Sequence, residues 1–114
     1  MDDDQLFRDI AVAALKKLGY SPHSVDGMAA AQSWLARHRP DIALIDLLLP
    51  DGNGIDLCRW IRGREGLGSL PILATSGLGE EETIQDALDA GASDFIRKPY
   101  LPDDLDRKIR RLLK

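Results

Sequence analysis

The sequence contains a single cysteine, Cys58, only two residues each of tryptophan, tyrosine and phenylalanine, and no excess of positive charge. One cysteine cannot form an internal disulfide or a multi-cysteine metal site. The 19 acidic and 15 basic residues give a net charge of −4, which argues against direct contact with nucleic acid. No apolar run approaches the roughly 18 residues that a transmembrane helix needs, and the start Met-Asp-Asp-Asp is unlike a signal peptide. These absences predict a cytoplasmic protein that makes no membrane contact.

The length and composition are those of one globular domain. The chain has 114 residues, of which 44% are hydrophobic and 30% charged. A chain of this size buries roughly two thirds of its unfolded surface. No internal repeat or low-complexity segment marks a second unit. We therefore expect a single domain over residues 1–114 with no further domain after Lys114, either as a stand-alone protein or as a fragment of a larger one.

Apolar periodicity predicts helices and strands in alternation. Helical spacing of apolar residues alternates with short apolar runs, and glycine or proline separates the segments. This order is typical of an α/β domain with a doubly wound parallel sheet and right-handed crossovers. The predicted helices cover residues 4–18, 27–38, 55–62, 80–90 and a last one from Pro102; the predicted strands cover a weak edge strand at 21–25 and stronger ones at 42–45, 70–75 and 94–98.

Polar residues lie where the predicted strands end. Asp46 ends the first strong strand, Ser76 follows the next one, and Lys98 ends the last, while Asp2 and Asp3 lie in front of the first helix. The carboxyl ends of parallel strands meet at one edge, where ligands collect. Clustered carboxylates favour a hard cation such as Mg²⁺, and lysine and hydroxyl groups bind phosphoryl oxygens. Since a carboxylate can also act as a nucleophile, the pattern predicts phosphoryl capture on an aspartate.

Other interpretations of the same residues remain open at this stage. Asp46 fits a residue that only ends its strand or caps the next segment. The acids at 2–4 fit a solvated terminus with a helix cap. A nucleotide-binding or hydrolase domain on the same fold is less favoured, because the sequence has neither a glycine-rich phosphate loop nor a Gly-x-Ser-x-Gly elbow.

Four motifs in order resemble the response-regulator receiver domain of two-component signalling. They are the acidic pair Asp-Asp at 2–3, Ile-Asp-Leu-Leu-Leu-Pro-Asp-Gly at 45–52, Pro-Ile-Leu-Ala-Thr-Ser-Gly at 71–77 and Lys-Pro at 98–99. The resemblance covers nearly the whole chain. It implies the flavodoxin-like (βα)5 fold of that family, with three layers, α/β/α, around a parallel sheet.

The resemblance also implies a phosphorylation site and a metal site. Asp46 occupies the place of the phospho-accepting aspartate, which takes its phosphoryl group from a sensor histidine kinase or a histidine phosphotransfer protein in a phosphorelay. Asp2 and Asp3 match the acidic pair that organises Mg²⁺, and Leu48 would lend its backbone carbonyl. The domain would catalyse its own aspartyl phosphorylation and dephosphorylation and is not otherwise a conventional enzyme.

Further positions match the family's switch. Lys98 and Ser76 would bind the phosphoryl oxygens, and Ser76 and Phe95 would move on phosphorylation. The peptide bond between Lys98 and Pro99 is expected to be cis, an isomer that costs little only before proline. The face made by the last two helices and the last strand would carry the signal to a partner or form a homodimer. The alternative is a docking or dimerisation module that works without phosphorylation.

The sequence departs from the family's pattern at its start. Family members carry an apolar strand before the acidic pair, whereas only Met1 precedes Asp2 here. We therefore expect a sheet that lacks most or all of its first strand. Three explanations are consistent with the sequence. They are a truncation or late start, exchange of an N-terminal element with a neighbouring copy, and closure of the remaining strands into a smaller sheet.

Overall fold

The structure is a computed structural model that describes residues 1, 5–49, 52–77, 81–98 and 100–113. Helices and strands alternate along most of it, as the sequence predicts, and the fold class is confirmed. No described helix is both long and apolar enough to cross a bilayer. In chain order the elements are α1 (Gln5–Lys17), α2 (Met28–Leu35), β1 (Ala43–Asp46), β2 (Leu48–Leu49), β3 (Gly52–Asn53), α3 (Gly54–Gly63), β4 (Ile72–Ser76), α4 (Glu81–Asp89), β5 (Asp94–Arg97) and α5 (Pro102–Leu112).

The main sheet has three parallel strands in the order β1-β4-β5. Asp46 pairs with Thr75, and Ser76 pairs with Arg97. The carboxyl ends of all three strands therefore reach the same edge. The short strands β2 and β3 form a separate antiparallel hairpin directly after this edge, and the sequence patterns did not predict it.

Alternate residues of each strand pack on opposite faces of the sheet. Ile72 and Ala74 belong to one core cluster, with side chains of α2, α3 and α4, whereas Leu73 belongs to a second cluster, with α5. This alternation follows from the two-residue period of a strand. It produces the predicted three layers, since helices cover both faces.

The predicted edge strand over Ser21–Val25 is wrong. These residues belong to no helix or strand. Pro22 has no N–H to donate to a ladder. The segment also lies beside a cavity rather than beside another strand, so it has no ladder to join.

Met1 takes one place in the sheet beside β1. Its amino nitrogen donates to the Leu44 carbonyl at 2.5 Å, and its own carbonyl accepts from the Asp46 N–H at 2.9 Å. Two such bonds on either side of Ile45 form a parallel bridge. The expectation of a missing first strand is therefore confirmed for the described residues, with Met1 alone at the end of the place where a strand would lie.

A cavity of about 520 Å³ occupies the rest of that place. We call it the strand slot; it is lined by Met1, by residues of α1, α2 and α5, by the segment 19–25 and by residues 40–45.

Cys58 gives a direct measure of core packing. Its side chain on α3 is fully buried, and burial raises the pKa of the thiol to about 11. Because only the thiolate reacts with disulfide reagents, we expect Cys58 to be unreactive towards a chromogenic thiol reagent at pH 8 in the folded protein. Full reaction after unfolding in guanidinium is the control. Rapid reaction without denaturant would contradict this packing.

Candidate functional site

Asp46 and Lys98 form an ion pair at the carboxyl edge of the sheet. The Lys98 Nζ lies 3.2 Å from the Asp46 Oδ2, and the two side chains are 13% and 9% exposed. Asp46 ends β1 and Lys98 directly follows β5, so the pair crosses the end of β4, which lies between them. Desolvation strengthens the attraction between two such charges and makes either one costly if left alone. The structure thus brings Asp46 and Lys98 together at the carboxyl edge, where the sequence analysis expects both residues.

The backbone of β1 is held at this point by Gly54. The Gly54 N–H donates to the Leu47 carbonyl at 2.9 Å. A Cβ on Gly54 would meet the Asp46 carbonyl oxygen and would lie 2.8 Å from the Leu47 Cα. Only glycine permits this approach of α3 to the strand end, and the residue thereby fixes the backbone that carries the Asp46 carboxylate.

Thr75 and Ser76 use their hydroxyl groups differently. The Thr75 Oγ1 donates to the Ile45 carbonyl at 3.4 Å, across the ladder. Ser76 is 1% exposed, and its Oγ has no hydrogen-bond partner among the described residues. Its carbonyl accepts from the Lys98 N–H at 2.6 Å, which places Ser76 next to the lysine. Burying a hydroxyl without a hydrogen-bond partner costs free energy. Of these two residues, Ser76 is therefore the one whose hydroxyl can bind a ligand at this edge.

The Lys98 ammonium also lies over an aromatic ring. Its Nζ is 4.6 Å from the centre of the Phe7 ring on α1, within the range of a cation–π contact. Phe7 thus helps to hold the ammonium in its place beside Asp46. No local sequence pattern links Phe7 to a residue 91 positions away, so this contact could not be predicted from the sequence.

Phe95 lies in β5 between two cations. The Lys108 Nζ is 5.1 Å and the Arg97 guanidinium 5.8 Å from its ring centre. Lys108 also pairs with Asp94 at 3.4 Å. The half-buried ring packs against the core cluster on its face of the sheet. Its ring therefore lies between that cluster and the Lys108 side chain of α5. The switch role that the resemblance implies for Phe95 stays a prediction.

The remaining predicted site residues are only partly described. Leu48 begins β2, two residues after Asp46. Asp2, Asp3 and Pro99 lie outside the described residues, and so does the peptide bond expected to be cis. Within the described ranges no three His, Cys, Asp or Glu side chains are grouped closely enough to hold a metal ion.

A comparison with protein families agrees with the ordered motifs. The model of the response regulator receiver domain matches residues 1–110. The chain belongs to this receiver domain family. The match covers the edge that carries Asp46, Ser76 and Lys98 and extends through nearly all of α5.

Curated relatives are response regulators of about twice this length. The transcriptional regulatory protein GltR of Pseudomonas aeruginosa is 33% identical over 114 residues, which is all of this chain and 47% of that protein. The phosphate regulon transcriptional regulatory protein PhoB of the same species is 30% identical over all of this chain and 50% of its own length. The chain thus spans about half the length of the curated relatives it matches.

Solved structures show the same fold. The crystal structure of a response regulator from Chloroflexus aurantiacus superposes with a TM-score of 0.95 at 27% identity, covering 99% of this chain and 93% of that one. The receiver domain of NtrX from Brucella abortus gives a TM-score of 0.92 at 28% identity, covering 98% and 93%. The chain is therefore a receiver domain of two-component signalling in both sequence and fold.

Alanine at position 54 tests the close approach of α3 to the Asp46 backbone. We expect Gly54→Ala to destabilise the domain by about 1–3 kcal/mol, because overpacking against backbone forces the strand end or the helix to move. Chemical denaturation measures the change. The matched control is Gly63→Ala at the other end of α3, where an added Cβ meets nothing within 4 Å; it should be neutral or stabilise by up to about 1 kcal/mol. Equal stability of the two variants would contradict the close approach.

Proposed function

We propose that this receiver domain accepts a phosphoryl group on Asp46 from the phosphohistidine of a sensor histidine kinase or a phosphotransfer protein. One observation carries the proposal. The largely buried Asp46 carboxylate is paired with Lys98 at an edge where the buried Ser76 hydroxyl has no partner among the described residues. A nucleophile, a cation and a hydroxyl donor are thus assembled where a phosphoryl group would lie.

The reaction is an in-line displacement at phosphorus. An Asp46 carboxylate oxygen forms the new P–O bond while the P–N bond to the donor imidazole breaks. The imidazole leaves and keeps the bonding electron pair, and it takes a proton from solvent. The Lys98 ammonium, held by Asp46 and by the Phe7 ring before the reaction, then binds a phosphoryl oxygen. Its charge offsets the negative charge on the transferring group.

Ser76 supplies the second contact with the phosphoryl group. Its Oγ is buried and donates to no described residue, whereas the neighbouring Thr75 hydroxyl is already used by Ile45. A phosphoryl oxygen would satisfy the Ser76 O–H and remove the cost of burying it unpaired. The approach of Ser76 to the phosphate would leave room for Phe95 to move inward, which would change the face formed by α4, β5 and α5.

A divalent cation fits the same edge by its donor chemistry. The Asp46 carboxylate, the Leu48 backbone carbonyl and the carboxylates of Asp2 and Asp3 are all oxygen donors, which Mg²⁺ prefers. These four residues would hold the ion. Bound there, Mg²⁺ would neutralise charge on the transferring group and on the aspartate.

The partners follow from the same proposal. The domain, residues 1–114, would receive its phosphoryl group in the cytoplasm and report through the α4-β5-α5 face to a partner or to a second copy of itself. Its net charge of −4 favours a protein partner over direct binding to nucleic acid. The regulators GltR and PhoB carry a further half beyond their receiver domain, and the output of this chain depends on what it is joined to or binds.

Intact mass spectrometry after incubation with acetyl phosphate and Mg²⁺ tests the proposal. We expect wild type to gain one phosphoryl group and Asp46→Asn to gain none. Asp41→Asn is the matched control, because Asp41 is an exposed aspartate just before β1, and it should behave as wild type. A phosphoryl group gained by Asp46→Asn, or none gained by wild type, would contradict the assignment.

Initial rates of phosphorylation distinguish the role of Lys98 from that of Ser76. Lys98→Ala should slow the reaction by about a hundredfold, since loss of one preorganised charge at a transition state costs about that much. Ser76→Ala should accept the phosphoryl group more slowly and should fail to change the α4-β5-α5 face, as read by backbone amide NMR shifts. Unchanged rates in Lys98→Ala would remove the lysine from the mechanism.

A further inference from the structure

The Lys98 ammonium is held by two groups of different kinds. Its Nζ lies 3.2 Å from the Asp46 Oδ2 and 4.6 Å from the centre of the Phe7 ring. The carboxylate carries a full negative charge, whereas the ring attracts the cation only through the partial negative charge of its face. Phe7 lies on α1, so its ring joins the first helix to the lysine that follows the last strand.

The position of Phe7 is not explained by core packing. The other phenylalanine of the chain, Phe95, packs against a core cluster, but Phe7 is not among the described side chains that form or cover either cluster. Its ring is half-buried instead, in contact with the Lys98 ammonium. A large apolar side chain thus lies at the candidate phosphoryl site and outside the core.

We propose that Phe7 is a positioning residue for phosphoryl transfer, whose ring keeps the Lys98 ammonium at the site while the ammonium passes from the Asp46 carboxylate to the phosphoryl group. The inference rests on the proposed phosphorylation of Asp46 and adds a residue that acts through the lysine. Phe7 changes the rate of transfer without taking part in the bonds that form or break.

The two contacts of the ammonium respond differently when the new P–O bond forms. An Asp46 oxygen becomes part of an acyl phosphate, and the negative charge of the carboxylate moves to the phosphoryl oxygens. The attraction between Lys98 and the Asp46 Oδ2 therefore weakens during transfer, whereas the attraction to the neutral Phe7 ring does not. In the free domain the ion pair holds the lysine even without the ring. In the transition state the ring matters more, and an interaction of that kind changes the rate.

A neutral aromatic ring has two advantages at this place. A carboxylate at position 7 would compete with the phosphoryl group for the ammonium and would repel the negatively charged donor. An aliphatic side chain would fill the space but lacks the quadrupole that attracts a cation. The ring also keeps water from one side of the Lys98 Nζ, whose side chain is only 13% exposed. A less hydrated ammonium attracts phosphoryl oxygens more strongly.

Initial rates of phosphorylation by acetyl phosphate with Mg²⁺ test the proposal. Phe7→Leu should slow the reaction about three- to tenfold, since one partly desolvated cation–π contact supplies a change of that size. Phe7→Tyr keeps an aromatic ring and should restore the wild-type rate. Ile10→Ala is the matched control, because Ile10 is an exposed apolar residue of the same helix, and it should react as wild type. Phe7→Met replaces Phe7→Leu if that variant fails to fold by circular dichroism.

A double-mutant cycle with Lys98→Ala distinguishes positioning from packing. Because Phe7 acts through the lysine, Phe7→Leu should not slow the reaction further when Lys98 is already alanine. A packing role would slow both backgrounds by the same factor. The contact itself is measured without phosphorylation by NMR. The ring current of Phe7 should shift the Lys98 ε-methylene protons upfield in wild type, and Phe7→Leu should abolish this shift.

Three outcomes would overturn the proposal and leave phosphorylation of Asp46 in place. They are equal rates for wild type and Phe7→Leu, equal slowing by Phe7→Leu with and without Lys98, and no upfield shift of the Lys98 ε-methylene protons in a wild-type domain that gains the phosphoryl group. A wild-type domain that shows the upfield shift and gains no phosphoryl group would instead contradict the proposed function, and the role of Phe7 in transfer with it.

Discussion

The ion pair between Asp46 and Lys98 depends on the parallel order of the sheet. Two residues 52 positions apart meet at 3.2 Å because β1 and β5 flank β4 and all three strands end at one edge. Burying a carboxylate without a partner raises the free energy of the folded state. The strand order brings Lys98 to Asp46, and the ion pair in turn stabilises that strand order. The same order places Ser76, at the end of the central strand, beside the backbone of the lysine.

Sequence patterns predicted this edge because its residues follow apolar runs. Asp46, Ser76 and Lys98 each come at the end of a buried stretch, and buried runs are local signals that a single sequence carries. The contacts that hold these residues were not predictable in the same way. Phe7 reaches Lys98 from α1, and Gly54 meets the Asp46 backbone from α3. Each contact joins separate elements, and its distance depends on how the helices pack.

The error at Ser21–Val25 has the same origin. The segment has the length and polarity of an edge strand, but a strand exists only with a partner in its ladder. Beside it lies the strand slot, where Met1 is the only described residue in line with the ladder. Helix α1 likewise has no fully buried residue, because apolar side chains on its inner face line the same cavity.

The strand slot and the phosphoryl site share one hydrogen bond. The Met1 carbonyl accepts from the Asp46 N–H, so the residue that closes the slot also fixes the backbone of the candidate phospho-acceptor. Preorganised geometry is what an in-line transfer needs. The bond from the Asp46 N–H to the Met1 carbonyl would therefore act on phosphoryl transfer through the position of the Asp46 backbone, without any contact with the phosphoryl group.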